Sequence, residues 1–234
     1  SSNITVAGTI AGCLQNDRFS LIDDHDQNKL MHGPRLAGIL LGTHEAVSKN
    51  PAVSTGKLVP RGNGSPQYGD LCLSVLDDKA NASADCRSAE ACFNNLKQGK
   101  MKRSGESRMA SMKTWGGEIS SNLMLAPGET KTITFLVTWY FPDFYESNFG
   151  RTGFAGHLYN NWYNNSFEVA SYIAAHFDEL YHDTKLFHDT YFDNTLPYWL
   201  ANRITMPLST LACGNIEVWE NGRMYGYEGI GFCP

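Results

Sequence analysis

No stretch of this sequence approaches the ~20 consecutive apolar residues that a membrane-crossing helix needs, which predicts a chain without a membrane span. The opening residues, SSNITVAGTI, lack the basic-then-apolar layout of a signal peptide, so none is expected in this stretch, and the compartment stays open between cytoplasm and secretion. Cysteine is scarce. Cys13, Cys72, Cys86, Cys92, Cys213 and Cys233 are too few for a disulfide scaffold and lack the paired C-x-x-C spacing of a zinc site. Buried thiols are expected for most of them, although Cys86 and Cys92 can close a small loop in an oxidising compartment, and Asn3, Asn63, Asn81 and Asn164 each head an N-x-S/T sequon. An excess of positive charge is also missing. The formal charge is −5, whereas nucleic-acid binders concentrate basic residues on one face, so nucleic acid is not an expected partner. The one basic stretch, from Lys97 to Lys113, is interrupted by Gly99, Gly105 and Glu106 and is poor in aromatics, and it reads as a solvated loop. Asp23-Asp24-His25-Asp26 supplies hard oxygen ligands without the Gly and terminal Glu of a calcium loop, so it reads as a turn and neither metal nor cofactor is expected.

What is present is enough for one large core or two modest ones: 234 residues, 42% of them hydrophobic. From Ser1 to about Pro142 short β-prone runs alternate with Gly, Pro, Asn and Asp, the texture of an antiparallel sandwich. RLAGILLG at Arg35 to Gly42 and DLCLSVL at Asp70 to Leu76 are candidate strands, and Ser54 to Gly69 reads as loop. The clearest strand pair flanks Pro127-Gly128, where Thr132, Thr134 and Leu136 alternate with Ile133, Phe135 and Val137 to give a strand with one core face.

The texture changes after Pro142. From Asn165 onward, Val169, Ile173, Phe177, Leu180, Tyr181, Thr184, Phe187 and Tyr191 recur at spacings of three and four, which predicts one face of a long helix capped by Asn165 or Ser166. A second helix is expected to open at Leu196-Pro197 and to be kinked or ended by Pro207. The expected division is a β-sandwich over residues 1–145, a linker over 146–165 and a helical unit over 166–234. The last segment, Asn215 to Pro234, sets Trp219, Tyr225, Tyr227 and Phe232 among Glu217, Glu220, Arg223 and Glu228. Aromatic faces beside carboxylates suit a sugar and equally suit an interdomain packing surface, and composition alone favours the packing surface.

Three motifs decide between these. LAPGETKTITFLVTWYFP at Leu125 to Pro142 resembles the closing strand of the N-terminal sandwich of glycoside hydrolase family 116, the group of non-lysosomal glucosylceramidases and microbial β-glucosidases. TLPYW at Thr195 to Trp199 is similar to the start of an early helix of that family's (α/α)6 barrel, and NGRMYGYEGIGFCP at Asn221 to Pro234 resembles the segment that bears its nucleophile. Their order and spacing agree with the family over most of Leu125 to Pro234, while residues 1–124 match mainly in β texture.

The resemblance implies a β-sandwich followed by the first helices of a truncated (α/α)6 barrel, and a retaining β-glycosidase acting on β-glucosides without a cofactor. It implies that Glu228, followed by Gly229, is the catalytic nucleophile. Retention needs a second carboxyl group about 5 Å from the first, and the resemblance assigns that role to an Asp beyond Pro234, in the rest of the catalytic domain downstream or in another chain. Trp219, Tyr227 and Arg223 are the substrate-binding candidates, and Glu217 and Glu220 are candidates to orient substrate or to pair with Arg223. The alternative function is a carbohydrate-binding or interaction module without catalysis, or an inactive fragment.

Overall fold

The computed structural model describes residues 6–16, 27–43, 69–86, 88–98, 106–108, 115–146, 153–208 and 216–226. Strands β1 (Val6–Asn16), β2 (Gln27–Gly33), β3 (Leu36–Thr43), β4 (Asp70–Val75) and β5 (Asn81–Cys86) come first, followed by helix α1 (Ala89–Lys97). Then come β6 (Glu106–Arg108), β7 (Trp115–Leu125), β8 (Phe135–Tyr140), β9 (Tyr145–Glu146), β10 (Gly153–Phe154) and a 3-10 turn at Leu158–Asn161. Helices α2 (Ser166–Ala175), α3 (Phe177–Phe192) and α4 (Tyr198–Thr205) and the strands β11 (Ile216–Val218) and β12 (Met224–Gly226) complete the described chain. Antiparallel sheets followed by helices is thus the observed order. A three-stranded sheet runs β1-β7-β5 and a five-stranded sheet β6-β2-β3-β4-β8, while β9 pairs with β10 and β11 with β12.

The reason RLAGILLG is apolar without alternation lies in its place in the larger sheet. Strand β3 is covered on both faces, and a strand buried on both sides gains from apolar residues at every position. Ala37, Ile39 and Leu41 point toward Ala82, Ala84 and Ile119 of the smaller sheet, in a core that also holds Leu73 and Val75. Leu36 and Leu40 point the other way, where they meet Cys72, Phe167, Ala170 and Ala174. Gly117 of β7 makes the contact between sheets close: a Cβ there would stand 2.8 Å from Ile39 Cγ2 and 3.2 Å from Leu41 Cδ2. Gly38 does the same on the helix side, where an added Cβ would meet Cys72 Sγ at 3.1 Å and Phe167 Cδ2 at 3.3 Å. The Phe167 ring therefore sits over bare backbone, and burying such a ring is worth roughly 1.5–3 kcal/mol.

Helix α2 is sewn to the sheet at its first residue. The Asn165 side chain accepts the Glu168 N–H at 2.9 Å, and Glu168 Oε2 reaches back past Asn165 to accept the Asn164 N–H at 2.9 Å, so the cap and the first turn are tied together on both sides of Asn165. The Ser166 N–H donates to Asp70 Oδ1 at 2.7 Å and its carbonyl accepts the Thr138 hydroxyl at 2.7 Å, tying the helix start to β4 and β8.

Several expectations are corrected. The runs on either side of Pro127-Gly128 are strands but not partners: β7 lies in the three-stranded sheet, and β8 pairs with β4 at the edge of the other. The run from Thr132 to Val137, which enters β8 at Phe135, also does not have a single core face, because Ile133 and Phe135 pack on the inter-sheet core while Leu136 packs on the α2 side. The long helix is two helices. The chain bends at His176, whose φ of −113° and ψ of 18° leave the α region, although the bonds from His176 N–H to Tyr172 and from Leu180 N–H to His176 persist. The face that α2 buries is Phe167, Ala170 and Ala174 rather than Val169 and Ile173, because small residues let the backbone approach the sheet. Helix α3 buries no residue, and Leu180, Tyr181 and Phe187 of the expected apolar face are exposed. Pro197 caps α4 and Pro207 follows its end, as expected.

Helix α1 and strand β6 were not anticipated. Helix α1 lies ahead of the stretch read as loop and meets it only at Lys97, whereas Glu106–Arg108 falls inside it and pairs with β2. Asp23 to Asp26 and Ser54 to Tyr68 lie outside the described residues. Burial pushes the Cys72 thiol up to about 12, as befits an inert core cysteine. Cys92 is disulfide-bonded, and its partner's side chain lies outside the described residues. None of the described helices is long and apolar enough to cross a membrane.

Candidate functional site

Glu228 and Tyr227 lie outside the described residues; the structure describes the hairpin that leads to them. Its turn is specified by Asn221-Gly222. Gly222 adopts φ 81°, a left-handed conformation that glycine enters without a Cβ penalty. The Gly222 N–H donates to the Trp219 carbonyl at 2.8 Å, the Asn221 side chain accepts the Arg223 N–H at 3.0 Å, and the Trp219 N–H donates to the Arg223 carbonyl at 2.8 Å. Val218 pairs with Met224 and Ile216 with Gly226, so β12 ends one residue before Tyr227.

The hairpin is seated on the segment between β8 and α2. Trp219 forms a β-bridge with His157, and the Glu220 N–H donates to the carbonyls of Ala155 at 3.2 Å and Gly156 at 3.3 Å. Glu220 is buried, 7% exposed, and its Oε2 accepts from Asn160 Nδ2 at 3.0 Å. The same Asn160 nitrogen donates to the Pro142 carbonyl at 2.9 Å, and Asn161 Nδ2 donates to the Glu220 carbonyl at 2.9 Å. Gly156, at φ 61°, leaves the room for this: a Cβ there would stand 2.5 Å from Glu220 Oε2.

Beneath the hairpin the segment is braced by aromatic rings. The Tyr159 hydroxyl donates to the Phe141 carbonyl at 2.7 Å, and burial pushes its pKa up to about 12. His157 stacks on Tyr159 with ring centres 4.9 Å apart and lies 5.0 Å from Phe144. Burial holds the His157 pKa below the usual histidine value.

Of the residues singled out in the sequence, Trp219 is 8% exposed and stacks on Tyr225 at 5.9 Å between ring centres, which leaves little of its face open. Arg223 is exposed at the turn, and its side chain has no ion-pair partner among the described residues, so it does not pair with Glu217 or Glu220. Glu217 is half-buried on β11, opposite Tyr225. Sequence reasoning missed Gly156, Asn160 and Asn161. Their signal is weak: a glycine and two asparagines in an aromatic-rich segment mark a turn, and nothing in their spacing points to a carboxylate 60 residues away.

A family description for glycosyl hydrolases matches residues 1–180, and it is that of the N-terminal domain, "beta-glucosidase 2, glycosyl-hydrolase family 116 N-term". The match spans both sheets, helix α2 and the first residues of α3, which places the chain in the glycoside hydrolase class. It belongs to glycosyl hydrolase family 116. No curated protein matches the chain.

Proposed function

We propose that this chain is part of a retaining β-glycosidase that hydrolyses β-glucosides by double displacement. Glu228 attacks the anomeric carbon and forms a glycosyl-enzyme ester, and a second carboxyl group, supplied by the remaining catalytic domain, protonates the leaving oxygen and then takes a proton from water. Arg223 and Tyr227 contact substrate beside it, and Trp219 backs the site through Tyr225. The two facing sheets form a β-sandwich over residues 1–145, joined by a linker over 146–165 to the opening helices of an (α/α)6 barrel over 166–234. The observation that carries the reading is the family match over residues 1–180, together with a hairpin of aromatic and carboxylate residues ending immediately before Tyr227 and Glu228.

The test is intact-mass analysis after exposure to a mechanism-based β-glucoside epoxide, with the chain extended through its catalytic part. A single adduct that maps to Glu228 and disappears in Glu228→Gln is the expected result. Hydrolysis of aryl β-glucosides with no adduct at Glu228 overturns the site assignment. Neither adduct nor hydrolysis, with retained sugar binding, favours a carbohydrate-binding module. First-formed sugar of inverted configuration excludes the retaining mechanism.

A further inference from the structure

We infer that Glu220 is a positioning residue: with Asn160 and Gly156 it forms a buried latch that fixes the hairpin leading to Glu228 against the segment that joins the sheets to the helices. The inference rests on the proposed role of Glu228 and names how that residue would be held.

A carboxylate buried to 7% exposure is costly unless hydrogen bonds compensate it, so its presence here needs a reason. A merely structural hairpin dock needs only apolar contact and backbone bonds. The Glu220 carboxylate adds a directional contact: Asn160 Nδ2 bridges Oε2 and the Pro142 carbonyl, at 3.0 and 2.9 Å, and thereby measures the distance from the hairpin to the end of β8. The two acceptors fix the orientation of the Asn160 amide, because exchanging its nitrogen and oxygen would set oxygen against oxygen twice. Its Oδ1 consequently has no partner in the interior, a cost that the chain accepts for the sake of the bridge.

The backbone closes the latch from the other side. Glu220 is held by its own N–H to residues 155 and 156 and by its carbonyl to Asn161, so main chain and side chain are both clamped. Gly156 is required twice over, by its φ of 61° and by the 2.5 Å that separates a would-be Cβ from Glu220 Oε2. Only seven residues lie between Glu220 and Glu228, and the hairpin's second strand, β12, occupies three of them. A shift of the latch is thereby transmitted to the nucleophile, and a misplacement of ~1 Å at a reacting group can cost about 100-fold in rate.

Three variants test this in the chain extended through its catalytic part. Gly156→Ala and Asn160→Ala are expected to lower the rate of Glu228 labelling per competent site by about tenfold or more at saturating β-glucoside epoxide, with the inactivator's half-saturation changed less than about threefold. Glu220→Gln keeps an acceptor for Asn160 and is expected to recover most of that rate. Titration of competent sites by adduct stoichiometry separates a misplaced nucleophile from a smaller folded fraction. An unchanged rate per competent site in both Gly156→Ala and Asn160→Ala overturns the latch, and so does a loss in Glu220→Gln as large as theirs, which would mean that the charge and not the shape matters. Hydrogen exchange over residues 216–226 decides the case independently of labelling. Protection lost there in Asn160→Ala, with β3 and β4 unchanged, supports the latch even if the unaltered protein takes no adduct at Glu228, an outcome that would sink the proposed function alone; unaltered protection overturns the latch.

Discussion

The contact between Gly117 and Ile39 offers a quantitative test of how the two sheets meet. Gly117→Ala introduces a methyl group 2.8 Å from Ile39 Cγ2, 3.0 Å from Ile39 Cδ1 and 3.2 Å from Leu41 Cδ2, all inside ordinary van der Waals contact. Ile39 is fully buried and stiff at its branched Cβ, so the strands must part by a few tenths of an ångström. Overpacking of this kind costs about 1–3 kcal/mol. Removing a glycine from a strand interior returns roughly 0.5–1 kcal/mol, which leaves a net loss of about 1–2 kcal/mol. Ile39→Ala alone should cost about 2–5 kcal/mol by opening a cavity at the same place. In the double variant the new methyl enters the space that the isoleucine vacated, so the two losses should fall short of their sum by about 1 kcal/mol or more. Urea denaturation of the four proteins, followed by far-ultraviolet circular dichroism, measures the cycle. Additivity within about 0.5 kcal/mol would refute the claim that these side chains meet between the sheets.

Four further outcomes are expected. Phe167→Ala, which uncovers Gly38 and the Cys72 thiol, should cost about 3–5 kcal/mol and expose Cys72 to thiol reagents, whereas Phe187→Ala on the uncovered face of α3 should cost no more than about 0.5 kcal/mol in the described part. Asn165→Ala should cost about 1 kcal/mol by freeing the Glu168 N–H, read from the same denaturation curves. Glu118 is 4% exposed, and burial raises its pKa above 4.5. The folded state then prefers the protonated acid, so its penalty grows as pH rises from the ordinary value through the raised one; Glu118→Gln should raise Tm at pH 7 and change it little at pH 4. His157 has the opposite sign: burial lowers its pKa below 6.5, so stability is full above that value and is lost as pH falls through the folded one. Protection from hydrogen exchange over residues 153–161, taken relative to the intrinsic rate at each pH, should fall on acidification, and His157→Phe should remove the fall.

Much of the sheet was legible because β3 and β4 are ordinary strands whose neighbours match their apolar pattern, and Asn165 carried a capping signal that the fold uses. The pairing of β7 and β8 was not, because a Pro-Gly turn is compatible both with a hairpin and with a crossing between sheets, and only the partners β1, β5 and β4 decide. Periodicity ran Val169 and Ile173 into Phe177 without a break, since no proline or glycine marks the bend at His176. Helix α1 did leave a signal: Ser88 caps it by accepting the Ala91 N–H at 3.1 Å, with Glu90 in the first turn and Lys97 in the last, but nine residues are too few to show a face. At the hairpin the aromatic and acidic residues were visible in the sequence. The asparagines that receive them were not, because a bond from residue 160 to residue 220 leaves no local pattern.

The stitching of Ser166 to Asp70 and Thr138 has a practical reading for anyone dividing the gene. A break placed just ahead of Ser166 would follow the change from strands to helices, yet it would strip the lid from Leu36, Leu40 and Cys72 and yield a fragment prone to precipitate. A break at His176 would leave that lid in place. For the sheets and their helical cover the seam therefore runs through the bend between two helices, and not where the secondary structure changes its kind, although a cut there also takes the hairpin from its seat on residues 155–161.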